Sequence, residues 1–462
     1  MRRPVAVPEV WSPSETDVRR TRIYYGWLLL VIAMEYARPG EFVPVIAAIK
    51  LPTLIPLILL VAVLVAPGLR PFKAIFTDRT ARWIVLYLAL VLLSIPIAEV
   101  TVYATDTFNS VFAHFTLFLM IARVTTTLPR LHGIFLVLFA SHMFALAMNP
   151  DVILNPNVRS YVRGAPFLGD GNDFSLSLCI LMPMVIYLAQ AARSRFMRAA
   201  AWAGVLAIIL AIIGTQSRGA ALAGCAVMGF LWLTSKKKAA SLMGIGVVAA
   251  IIVAFGSQAY FERLGTIRHY QSEGSAQARV GAWKIATRMA LANPLLGVGA
   301  GHFPMAYADL NRHPGGGSRW MTAHSMYFLV LGELGFPGLI AYCAIVFGGI
   351  RATLMARRRL LLSEARPPPD TIDAHARLLS LLAASSIGFA VAGAFLSVAY
   401  YPHVFVLSAI LISARSIALA TSAVAGSGRT EHKTTGRRPR AYSGRIQRRG
   451  ARAIKAATSE DS

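Results

Sequence analysis

The chain has 462 residues, 56% of them hydrophobic and only 15% charged, with mean hydropathy +0.57. Soluble globular chains carry roughly 25% charged residues, and long apolar stretches mark membrane spans, so this composition excludes a soluble multidomain protein. The formal charge of +25 does not point to nucleic acid, because basic residues gather in alternate connections between apolar runs rather than on one folded face.

In chain order, residues 1–22 form a polar, basic leader, and the first apolar run, from Tyr24, reads as an uncleaved span rather than a signal peptide. A span needs about 20 apolar residues. Runs at 23–37, 51–67, 83–99, 107–122, 131–148, 174–192, 199–215, 219–235 and 239–256 predict nine spans over 23–256. A long loop, 257–322, follows, and runs at 323–350, 376–399 and 402–422 predict three more spans within 323–422. The fold expected is an all-α polytopic membrane protein of about twelve transmembrane helices, with one long outer loop that contains helical segments. The tail, 423–462, gains Arg437-Arg438, Arg440, Arg445, Arg448-Arg449 and Arg452. It cannot bury a core and reads as a disordered segment attracted to anionic inner-leaflet lipid.

Twelve spans put both termini on one side. Most of the 46 Lys and Arg then share that side, including Lys236-Lys237-Lys238 and Arg357-Arg358-Arg359, and the positive-inside rule makes it cytoplasmic. Within the outer loop, 277–292 reads as a helix that Asn293-Pro294 should stop, since proline neither continues a helix nor favours one in its predecessor. Cys179, Cys225 and Cys343 all fall in apolar runs, with no metal-ligand spacing and no disulfide framework. Asp170 and Asp173 flank Asn172 in a turn-rich segment, where turn chemistry outweighs a metal site because nothing else acidic converges there. No phosphate-cradling glycine loop is present, so ATP drive is not supported, and no cofactor is implied.

Three residues carry the chemistry. His324, at the outer mouth of a span, is followed by Ser325, by Glu333 inside the span, and by a break at Gly335-Phe336-Pro337-Gly338. A neutral imidazole can accept a proton from a hydroxyl near neutral pH. The bland alternative is an interfacial polar residue. Glu333 lies about 13.5 Å from His324 along an ideal helix, so the two should not touch. Arg218 ends the connection after the seventh span, where it could snorkel to headgroups or grip a phosphate with its fixed fork of donors. Arg279 and Trp283 share a face of the loop helix at i and i+4, while Arg288 falls on the opposite side. The competing reading is an amphipathic helix resting on headgroups, with Trp283 at the interface.

The pattern His324-Ser325, nine residues, Gly335, two residues, Gly338 resembles the signature of the O-antigen ligase and polymerase family of bacterial envelope glycosyltransferases. Ser217-Arg218-Gly219 resembles that family's outer arginine motif, and Arg279-x3-Trp283 followed by Asn293-Pro294-Leu295-Leu296-Gly297-Val298-Gly299 resembles its loop helix and turn. Asn172 falls in a similar Gly/Asn-rich approach to a span. More weakly, Arg38-Pro39-Gly40-Glu41 is similar to a segment of the exosortase-associated O-glycosylation ligases.

The resemblance implies glycan transfer from an undecaprenyl-diphosphate carrier at the outer face of the bacterial inner membrane, inverting and without metal. His324, Arg218 and Arg279 would be catalytic. Arg38, Arg163, Asn172, Trp283, Arg288, Ser325 and Glu333 would serve as substrate-binding candidates. Lipid A-core, a protein hydroxyl or another lipid-linked glycan would each suit as acceptor, so ligase and polymerase both stand. A lipid-linked glycan transporter is the competing class, as is a non-catalytic envelope scaffold; a transporter would favour internal repeats, and none is evident.

Overall fold

The structure is a computed structural model that describes residues 11–43, 45–46, 51–155, 162, 167–265, 274–311, 320–362 and 369–434. All regular elements among them are helices. The twelve apolar runs each fall on one. They are α1 (Arg22–Ala37), α2 (Leu51–Val65), α3 (Arg79–Leu93), α4 (Thr101–Val124), α5 (Leu128–Met148), α6 (Gly171–Ala191), α7 (Arg195–Gly214), α8 (Arg218–Thr234) and α9 (Lys238–Phe255). After the loop helices α10 (Gly274–Ala292) and α11 (Phe303–Leu310) come α12 (Met326–Leu361), α13 (Pro369–Gly393) and α14 (Pro402–Thr434).

Among the described residues, nine helices are long and apolar enough to cross a membrane. Of the twelve, α1, α2 and α8 are shorter, with 16, 15 and 17 residues, and α3 reaches span length as Arg79–Ile97, together with the short helix Ile95–Ile97 that follows it. The chain is an all-α polytopic membrane protein. The last helix continues to Thr434, past the end expected at 422, and the remaining tail, 435–462, lies outside the described residues.

Apolar side chains choose which helices sit in the middle. Within their apolar windows, α6, α13 and α14 are 72%, 78% and 78% buried, whereas α9 is 0% buried and presents its whole length outward. In a bilayer that outward face meets lipid tails as apolar as itself, so its exposure costs little. Polar starts fix several helices. Asp78 caps α3 through the Thr80 amide at 2.8 Å, Asp170 caps α6 through the Asn172 amide at 2.7 Å, and Ser217 caps α8 through the Ala220 amide at 3.3 Å.

Hydrogen bonds cross-link the helix ends at two opposite ends of the bundle. At what we call the basic end, Arg70 Nη1 donates to Ala122 O (2.8 Å), Arg130 Nη2 to Thr21 Oγ1 (2.8 Å) and Arg415 Nη2 to Asp78 Oδ2 (2.6 Å). The opposite, loop end collects the connections 94–100, 214–218, 293–303 and 394–401. There the Ala300 amide donates to Ser94 Oγ (3.1 Å) and the Val100 amide to His302 Nε2 (3.0 Å). Since Val100 donates to Nε2, the neutral His302 ring carries its proton on Nδ1, which donates to Ala300 O at 3.2 Å.

Helix α12 is broken. Gly335 has φ 66 and ψ −164, a conformation open only to glycine without strain. Tyr342 Oη lies 3.5 Å from Met326 Sδ, although residues sixteen apart in a straight helix are separated by about 24 Å. Segment 326–334 therefore folds back on the start of 336–361. The break frees two carbonyls and an amide that the neighbouring turn satisfies: Val298 N donates to Gly332 O and Gly299 N to Glu333 O, both at 3.0 Å, and Phe336 N donates to Pro294 O at 3.0 Å. The expected stop of the loop helix at Asn293-Pro294 holds, for α10 ends at Ala292. A Cβ at Gly297, itself at φ +59, would run into the Gly332 and Glu333 carbonyls.

Candidate active site

The folded-back segment brings the start of α12 beside two other elements. His324 sits just before it with φ 45, a left-handed backbone for a non-glycine residue, and its amide donates to Ser397 Oγ at 2.9 Å. Among the described residues only Arg38 (φ 43) and Gln216 (φ 50) share that conformation outside glycine. All three lie at the loop end, and each is a candidate residue or lies two positions from one. Such backbones cost about 1–3 kcal/mol each and persist where the surroundings over-determine them, typically at functional sites.

Helix α10 ties the three principal candidates together. Arg218 Nη2 donates to Ser275 Oγ at 3.0 Å. Trp283 Nε1 donates to Ala323 O at 3.0 Å, and its ring stacks on Phe328 with centroids 5.1 Å apart and planes 7° off parallel. Ser275, Arg279 and Trp283 are spaced by four, so they lie on one face of α10. Arg218 thus meets one end of that face, the neighbour of His324 meets the other, and Arg279 stands between, within about 12 Å of helix length. A second tie runs through the end of α13. A Cβ on Gly219 would touch Phe395 Cβ at 3.6 Å, while Gly393 faces Met326 and Ser397 holds the His324 amide. Arg218, Arg279 and His324 are each partly exposed.

The remaining candidates divide. Ser325 is buried at the N-cap of α12. Arg288 is exposed on the other side of α10, as the spacing predicts. Asn172 donates from its backbone and its side-chain amide to Asp170 Oδ1 at 2.7 and 2.8 Å, so that segment shows cap chemistry. Arg38 Nη2 pairs with Glu35 Oε1 at 3.7 Å, and its guanidinium lies 5.3 Å over the Phe167 ring. Among the described residues its contacts do not include Arg218, Arg279 or His324. Arg163 lies outside the described residues. Among the described residues, no group of three His, Cys, Asp or Glu could hold a metal ion.

Glu333 is buried at 1% exposure and fully engaged. Oε1 accepts from Phe303 N (2.7 Å); Oε2 accepts from Gly301 N (2.9 Å) and from Tyr400 Oη (2.6 Å). Burial, and then the neighbouring Glu333 carboxylate, keep the Tyr400 phenol protonated well above its usual range. Sequence reasoning missed Ser275, Ser397 and Tyr400. The one available signal was the polar and aromatic composition of 394–401, too short a connection to show any periodicity.

Residues 174–343 match the O-antigen ligase family, a stretch that contains Arg218, Arg279, Trp283, His324 and Glu333 and leaves out Arg38, Ser397 and Tyr400. No curated protein matches the chain. The family points to a membrane enzyme of ligase or polymerase type, acting on a lipid-linked glycan and an acceptor. Over residues 174–343, the stretch that contains Arg218, Arg279 and His324, the chain is similar to the O-antigen ligase family.

Proposed function

We propose that the protein transfers a glycan from an undecaprenyl-diphosphate carrier to an acceptor hydroxyl at the periplasmic face of the bacterial inner membrane, with both termini cytoplasmic. The observation that carries this reading is the alignment of Arg218, Arg279 and His324 along one face of α10, through Ser275 and Trp283.

A lipid diphosphate is already a good leaving group, so the protein's task is to stabilise developing charge and to place the acceptor. Arg218 and Arg279 would hold the phosphate oxygens. Fixed cations act most strongly where water is excluded, and guanidinium matches phosphate geometry in a bidentate manner. Helices α8 and α12 begin at this recess, and the positive ends of their dipoles favour the same anion. His324 accepts the acceptor hydroxyl proton as that oxygen forms its bond to the anomeric carbon. The bond from that carbon to the diphosphate oxygen breaks, the electron pair leaves with the lipid diphosphate, and in-line attack inverts the linkage. No step calls for a metal.

The same base and clamp would serve lipid A-core, a protein Ser or Thr, or a second lipid-linked glycan. Reconstitution with a lipid-linked glycan tests the reading. Transfer with release of lipid diphosphate is expected, and His324→Ala or Arg218→Ala should abolish it at unchanged membrane level. Full activity in either variant removes that residue from the mechanism, and movement of the glycan without bond change would make the protein a transporter.

A further inference from the structure

The connection 394–401 touches the broken helix at two places. Near its start, Ser397 Oγ accepts the His324 amide at 2.9 Å. Near its end, Tyr400 Oη donates to Glu333 Oε2 at 2.6 Å. Segment 326–334 is helical between these points, so the connection is pinned to both ends of one short rigid rod. Further anchors hold Tyr400 itself: its carbonyl accepts from His114 Nδ1 at 2.9 Å, and the ring stacks on Tyr87 with centroids 6.3 Å apart.

Glu333 meanwhile fastens the turn 299–303 through the Gly301 and Phe303 amides. Three donors meet two carboxylate oxygens of a group that is 1% exposed, so substrate has no route to it. A donor left unmatched in so buried a place is costly, so the arrangement is rigid.

We infer that Glu333 and Tyr400 are a positioning pair that fixes His324 through the rod 326–334 and the Ser397 contact, without touching substrate. This rests on the glycan-transfer reading only in naming His324 as the base; the placement of its imidazole can be measured separately. Glutamine is a pointed substitution here. Oε2 serves two donors and Oε1 one, so whichever way a glutamine amide turns, its NH2 confronts an N–H.

The experiment uses the full chain in detergent or nanodiscs, with Tyr400→Phe, Glu333→Gln and the double variant. It reads kcat and KM per folded molecule, and the rate at which diethyl pyrocarbonate modifies His324 relative to the other histidines. Small displacements of a reacting group cost up to about a hundredfold in rate; we expect kcat to fall about fivefold in Tyr400→Phe and about fiftyfold in Glu333→Gln, with donor KM within about twofold. The double variant should match Glu333→Gln alone, because the two groups share one interaction. His324 labelling should change at least about threefold in each single variant, as expected if the imidazole is displaced.

A purely structural role would lower the folded fraction and leave both per-molecule readouts unmoved, which overturns the inference. Should Glu333→Gln not fold, Tyr400→Phe carries the test, since it removes a single hydroxyl. If the wild-type protein shows no transfer, the glycan reading fails, and the labelling arm alone decides on positioning.

Discussion

The two ends of the bundle are both rich in arginine and use it in opposite ways. At the basic end the guanidiniums close off helix termini. Arg70, 2% exposed, donates to Ala122 O and Thr125 O; Arg130 donates to Val124 O and Val18 O; Arg123 donates to Val63 O, Leu64 O and Arg70 O and lies 4.1 Å over the Phe72 ring. Apart from Arg70 O, which lies in a connection, these are carbonyls that helix ends leave without intrahelical partners. Burial alone lowers the Arg70 guanidinium to about 10, still charged at neutral pH.

At the loop end Arg218 donates to a serine hydroxyl on a separate helix, and the local backbone at Gln216 and His324 is left-handed. At the basic end, no described non-glycine residue has a left-handed backbone. The loop end holds the strained backbone and the broken helix. The lesson is that arginine content alone does not set the two ends apart; what distinguishes the loop end is arginine beside left-handed backbone.

The largest expected effect breaks the comparison at its constrained side. Gly335→Ala puts a Cβ against the Pro294 carbonyl at φ +66. We expect transfer to fall about a hundredfold, since the folded-back rod that presents His324 depends on this turn. A Gly335→Ala protein with normal kcat would show the break to be incidental.

Arg218→Lys comes next. A point charge only partly replaces a bidentate fork, so transfer should fall about tenfold where alanine abolishes it; equal loss in both variants would mean that fork geometry is the whole effect.

A smaller and different loss is expected at the basic end. Burial pushes the Asp78 carboxyl up, but the Arg415 guanidinium and the Thr80 amide outweigh it and hold the group below the usual carboxylate range. Its stabilising contribution is therefore present above the ordinary aspartate pKa and is lost as pH falls through the lowered one. Asp78→Asn should cost about 1.5–3 kcal/mol of stability at neutral pH, with the difference from wild type shrinking in acid, while kcat per folded molecule stays unchanged. Thermal unfolding against pH checks this, and a gap that widens in acid would reverse the sign.

Arg288→Ala, on the exposed side of α10, should alter transfer by less than about twofold, the range of an ordinary surface change. A larger loss would move the substrate to that side of the helix.

Much of this was legible in the residues. Hydropathy placed the twelve helices because a lipid solvent leaves the backbone few alternatives. The end of α10 followed from Asn293-Pro294, and the separation of Arg288 from Arg279 followed from helical periodicity. The spacing of Glu333 from His324 forbade contact, and Glu333 in fact reaches Gly301, Phe303 and Tyr400.

What linear order could not supply was the meeting of segments far apart in sequence. Arg218 finds Ser275 fifty-seven positions on, and His324 finds Ser397 seventy-three positions on. Local patterns record which face of a helix is apolar and where it stops, since those are decided within a few turns. Which polar groups then share a recess depends on how the helices pack and on the fold-back at Gly335. That reversal is made at one residue, with φ 66 and ψ −164 at Gly335, and a sequence reports only that glycine permits it.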